Sequence, residues 1–157
     1  MSTKLTRKSP RAGYEMLESR SLSLLYEMDS FQERILDRLV ERLCSEGFAG
    51  IKRSQITFLA ALDCDANHAA NVARRLNISR QAVHKTVREL EAAGWLETFQ
   101  NPNLQNQKAI HFTVEGERMV SFARRFFFDL DNELCAAIGD DTLRAIEALL
   151  NYSVKVD

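Results

Sequence analysis

Residues 78 to 90 read ISRQAVHKTVREL, and if the segment is helical Arg80, Gln81, His84, Lys85 and Arg88 share one side of it. At roughly 100° per residue, measured from Val83, they fall at about 60° (Arg80), 100° (His84), 140° (Arg88), 160° (Gln81) and 200° (Lys85). Val83, Val87 and Leu90 stay within about 40° of zero and form the dry stripe. The nearest acids, Glu89 and Glu91, lie toward the C-terminal end. Guanidinium and ammonium groups so placed can reach phosphate or the O6/N7 edge of guanine, and Gln can pair with N6/N7 of adenine. The chemistry is that of duplex DNA. Ser79 can cap this helix and touch phosphate at its positive end, and Lys108, at the end of a later polar segment, offers a further phosphate contact.

Such a face needs a scaffold, and the flanking sequence supplies one. From about Met16 to Glu46, Leu24, Met28, Phe31, Ile35, Leu39 and Leu43 recur three or four apart, a helix longer than most in globular domains. Its length implies that a second chain covers part of it. Ser54 is placed to cap a short helix over Gln55 to Asp63. A second runs from about His68 to Leu76, with Asn77 at the left-handed position that follows a helix. Asn77-Ile78-Ser79 is then the turn of a helix-turn-helix. After Gly94 the period changes from helical to alternating: WLETF (95 to 99) and AIHFT (109 to 113) read as a hairpin whose long tip holds Pro102. Thr113 caps a helix carrying the run FFF at 126 to 128, more apolar surface than one neighbour covers, and a last helix spans about Asp141 to Tyr152.

Helix, helix, turn, helix, strand, tip, strand, helix is the order of a winged helix-turn-helix. In SQITFLAAL (54 to 62), VARRLNISRQAVHKTVRELEAAGWLE (72 to 97) and FTVEG (112 to 116) the sequence resembles the MarR family of transcriptional regulators. The fold expected is mainly α with a small β-hairpin, a winged helix-turn-helix flanked by long N- and C-terminal dimerisation helices. The corresponding divisions are 1–15, a basic flexible arm; 16–50, an N-terminal dimerisation helix; 51–113, the winged DNA-binding region; and 114–157, C-terminal dimerisation helices. What the resemblance implies is a homodimer on double-stranded DNA at a pseudo-palindromic operator, a repressor relieved by a small, often aromatic effector. Wings of the family commonly carry an Asp and an Arg at the tip. Here the matching places hold Leu104 and Asn106, so the recognition helix is expected to carry more of the affinity, with Lys108, Gln105 and Gln107 as lesser contacts.

Composition is compatible with this reading. Net charge is −1 over 157 residues, but residues 67 to 113 hold six Lys/Arg against three acids, +3, which leaves −4 for the remainder. A local basic surface binds a polyanion whatever the total. Cys44, Cys64 and Cys135 are odd in number, far apart and without a C-x-x-C pair, so they read as reduced thiols. No apolar run reaches the roughly 18 residues of a membrane span, and the basic first thirteen residues lack the apolar core of a secretory signal. A cytoplasmic location is expected. Cys44, on the stripe of Leu36 and Val40, is read as buried filler; Cys64 and Cys135 have no basic neighbour in sequence; His111 is read as facing outward. DCDANH (63 to 68) offers metal-ligand types, but without a second cluster it reads as a turn. There is no phosphate loop, G-x-S-x-G or H-E-x-x-H, so neither catalysis, nor a cofactor, nor a metal is expected. Two alternatives stay open: a winged module that docks on an acidic protein, and a thiol- or metal-responsive version of the regulator.

Overall fold

Hydroxyl side chains open three of the helices. Ser19 accepts from the Leu22 amide at 3.4 Å, Ser79 from Ala82 at 3.1 Å and Thr113 from Gly116 at 3.0 Å, each taking up an N–H that the helix itself leaves unpaired. The computed structural model describes Tyr14, Leu17 and residues 19–64, 66–100 and 108–152. In chain order the elements are α1 (Arg20–Ser45), α2 (Arg53–Ala60), β1 (Asn67–His68), α3 (Ala69–Leu76), α4 (Arg80–Ala92), β2 (Leu96–Gln100), β3 (Lys108–Phe112), α5 (Val114–Ile138) and α6 (Asp140–Leu150). This is a mainly helical winged helix-turn-helix with long helices on both sides. Asn77 turns the chain between α3 and α4 at φ 52°, ψ 44°, a left-handed conformation that Asn tolerates because its short amide can bond locally.

The sheet is antiparallel, in the order β1-β3-β2, and Thr98 faces Ile110 across the hairpin. Its inner face, Leu96 and Ile110, joins Val72, Val83, Val87 and Leu90 of the helix-turn-helix and Leu39, Leu43, Phe48, Met119 and Phe126 of the flanking region in one core. Burying each such side chain contributes on the order of 1.5–3 kcal/mol. Gly116 lies against this core so closely that a Cβ there would be 2.0 Å from the Trp95 carbonyl oxygen.

Ion pairs bind the outer helices to one another. Arg38 of α1 makes two 2.7 Å bonds to the Glu133 carboxylate of α5. Arg53 of α2 reaches Asp37 of α1 at 2.6 Å and Glu33 at 3.4 Å. Arg118 holds Glu115 at 2.6 Å while its guanidinium lies 4.2 Å from the centre of the Phe48 ring. Hydrogen bonds from Arg38 and Arg118, with the positive charge of each guanidinium, hold the Glu133 and Glu115 carboxyls below their usual range against the opposing effect of desolvation. A carboxyl depressed in the folded state contributes stability above its unfolded pKa and loses it as pH falls through the folded value. Thermal melts should therefore be flat through neutral pH and fall below about pH 4, and Glu133→Gln should flatten part of that acid limb. Both pairs are exposed, so the effect is small.

Several sequence expectations are corrected. The first helix starts at Arg20, not Met16. The cap of α2 is Lys52 instead of Ser54: the Gln55 side-chain oxygen accepts from the Lys52 amide at 3.0 Å, so the helix begins two residues earlier. Cys44 is exposed, because α1 turns its buried stripe through Leu39 and Leu43 and leaves position 44 at its edge. β1 was not anticipated, since two residues carry no period; it exists because Asn67 exchanges 2.8 Å bonds with Asp63 and is buried against β3. His111, read as facing outward, does lie on the outer side of the hairpin, half-buried because its ring meets that of Phe99 edge-on at 5.6 Å. The arm residues 1–13 and the wing tip with Leu104, Gln105, Asn106 and Gln107 lie outside the described residues.

Candidate nucleic-acid interface

The α4 helix is clamped by its dry stripe: Val83 and Leu90 are 0% exposed and Val87 is 3%. That fixes which way the opposite side looks. Arg80, Gln81, His84, Lys85 and Arg88 are all exposed, and none of their five side chains has a hydrogen bond or ion pair among the described residues. Elsewhere the chain neutralises many of its arginines: Arg38, Arg53, Arg75, Arg118 and Arg144 each meet a carboxylate within 4 Å. The cations of α4 are left open to solvent.

Three of them converge. Arg80, His84 and Arg88 line one open groove of about 680 Å³ between the start of α3, α4 and the hairpin, and Lys108 of β3 borders it from the other wall. Gln81 and Lys85 lie further round the helix, outside the groove, as their angular positions require. Ser79 sits at the helix start, its oxygen engaged by the Ala82 amide and its hydroxyl proton available to an acceptor. The tertiary structure brings residues to this groove that the sequence reading did not assign to the interface: His68 of β1, Asn71 of α3, Glu91 of α4 and Thr98 of β2. His68 Nδ1 is buried and without a hydrogen-bond partner among the described residues. A missed β1 is why: without it nothing places His68 beside α4.

A second, smaller cavity of about 260 Å³ opens on another side of the module, between Leu39 and Leu43 of α1, Ile56 and Leu59 of α2, and Met119 and Phe127 of α5. Cys64 and Arg124 stand at its edge, the guanidinium Nη2 3.9 Å from the thiol sulfur. The sequence places these two residues sixty apart, so no local signal connects them. Among the described residues there is no cluster of three or more His, Cys, Asp or Glu that could hold a metal ion, and no helix is long and apolar enough to cross a membrane.

Comparison with known proteins agrees with this geometry. The family model described as the MarR family matches residues 49–102. Streptococcus pneumoniae FabT in complex with DNA is similar over 83% of this chain and 92% of its own, with 14% identity and a TM-score of 0.73. Wild-type MarR from E. coli in its apo form gives 20% identity, 87% and 96% coverage and a TM-score of 0.66. A mutant E. coli MarR complexed with operator DNA gives 22%, 83%, 91% and 0.65. No curated protein matches the sequence. At these identities the likeness to solved structures concerns the fold, a winged helix with long flanking helices, and the segment similar to the MarR family, 54 of the 157 residues, runs from the loop after α1 through the helix-turn-helix into the wing.

Proposed function

We propose that this protein is a non-enzymatic transcriptional regulator of the cytoplasm that binds double-stranded DNA as a homodimer and represses by occupying a pseudo-palindromic operator. The observation that carries the reading is the unneutralised basic side of α4 facing one groove with Lys108. Arg80 and Gln81, in the first turn, are assigned to base edges, and Ser79, Lys85, Arg88 and Lys108 to phosphates, with His84 between the two. FabT and the MarR mutant have been solved in complex with DNA, and this chain adopts a similar fold.

Surplus apolar surface at both ends of the chain supports the dimer. Although α6 carries Leu143, Ile146, Leu149 and Leu150, it has no buried residue. Leu149 is 48% and Leu150 57% exposed; Leu25 of α1 and Phe128 of α5 exceed 60%. A helix of that composition is stable only against a partner surface, and a second copy supplies it. The two recognition helices then lie about 34 Å, one DNA turn, apart or a multiple of it.

Sedimentation at micromolar concentration tests this directly. Wild type should run at twice the 17.9 kDa monomer mass, and Leu149→Glu with Leu150→Glu should run as monomer and lose operator binding with it. Selection from a random DNA pool should return an inverted repeat. No enrichment would favour the rival, an acidic-protein docking module, for which the uncharged residues Leu104 and Asn106 speak.

The apolar cavity between α1, α2 and α5 supports relief by a small aromatic effector, which would displace the helix-turn-helix relative to the flanking helices. The Arg124–Cys64 contact favours a second trigger, thiol oxidation. Cys64→Ser separates them: a protein still released from operator by peroxide excludes that thiol.

A further inference from the structure

Among the described residues that line the groove, Glu91 is the one acid, set among Arg80, His84, Arg88 and Lys108. Round the helix from Val83 it falls at about 80°, between Arg80 and His84. It lies on the basic side of α4 and not clear of it, as its place near the C-terminal end had suggested. None of the surrounding cations pairs with it. Its Oε1 accepts instead from the Thr98 hydroxyl at 2.7 Å, and Thr98 is anchored in β2 opposite the buried Ile110. An exposed glutamate swings away from an approaching anion at little cost. A half-buried one held to the hairpin cannot.

We infer that Glu91 is a specificity-determining residue of the DNA interface. Its fixed negative charge disfavours every docking that brings a phosphate into the gap between recognition helix and wing. Binding to arbitrary sequence rests almost wholly on phosphate contacts, so it bears this repulsion in full. A cognate site draws part of its affinity from base edges, and those contacts hold the duplex in a register that keeps the backbone clear of position 91. Like charges set against each other suppress wrong partners, a route to specificity that complements attraction to the right one. The same Thr98–Glu91 bond ties hairpin to helix, so the gap has a set width before DNA arrives. This inference rests on the DNA-binding reading above.

The test uses the full-length protein, the operator recovered by selection and a scrambled duplex of equal length, between about 50 and 200 mM salt. Glu91→Gln keeps an oxygen for the Thr98 hydroxyl and removes the charge. It should bind the scrambled duplex about tenfold more tightly and the operator within about twofold of wild type, with the salt slope for scrambled DNA steeper by about one. Thr98→Val, which frees the carboxylate to turn away, should move the ratio in the same direction by less. An unchanged ratio in Glu91→Gln would overturn the inference. So would a selective loss of operator affinity, which would make Glu91 a reader of cytosine N4. In both cases wild-type operator binding survives; wild type that binds neither duplex sinks the DNA reading and this inference together.

Discussion

Replacing Arg80 and Arg88 together by alanine should lower operator affinity about a hundredfold or more, with the melting temperature essentially unchanged. Each arginine belongs to the basic side of α4, and loss of one good base or phosphate contact weakens binding about tenfold. The two are eight residues apart, two turns along the helix, so their effects should nearly add. Stability is spared because neither side chain is bonded to the rest of the described chain and the dry stripe of Val83, Val87 and Leu90 is untouched. Specificity should divide between them: Arg80→Ala relaxes preference at one base pair, whereas Arg88→Ala weakens all sequences alike and reduces the salt slope by about one. Fluorescence anisotropy at two salt concentrations reads both. A double variant within threefold of wild type would place the interface elsewhere on the molecule.

Among the described glycines, Gly116 is the one whose replacement by alanine meets backbone, and Gly116→Ala should destabilise the chain strongly. The new Cβ would stand 2.0 Å from the Trp95 carbonyl oxygen, 3.0 Å from the carbonyl carbon and 3.2 Å from Cδ1 of Phe112. The oxygen cannot yield, because it accepts from the Thr113 amide at 3.2 Å. Next to it the Thr113 hydroxyl donates to the Gly94 carbonyl at 2.6 Å while its oxygen caps α5 through the Gly116 amide. The exit of α4, the end of the hairpin and the start of α5 thus meet within one hydrogen-bonded knot. Forcing them apart costs about 3 kcal/mol or more, a fall of roughly 10 °C in melting temperature for a domain of this size. Ser121→Ala, exposed on the same helix, should melt with wild type and serves as the control. A Gly116→Ala variant within 2 °C of it would show that the knot relaxes freely.

Much of this molecule is legible in one dimension because helices and strands impose their own periods. The apolar stripe of α4, the caps at Ser79 and Thr113, the left-handed Asn77 and the change of period after Gly94 are local features, and each sits where local physics puts it. The one-sided basic helix is local as well, since residues three, four and eight apart on a helix share a side whatever surrounds it. Contacts between distant segments had no such signature. The two-residue β1, the delivery of Lys108, Thr98 and His68 to the groove beside α4, the capture of Glu91 by the hairpin and the meeting of Cys64 with Arg124 all join residues whose separation in sequence encodes nothing about their separation in space. Cys44 makes the same point in reverse: its spacing fits the buried stripe, yet whether a stripe's edge is covered depends on the neighbour. Periodicity decides which side of an element is dry, and only packing decides what the wet side meets.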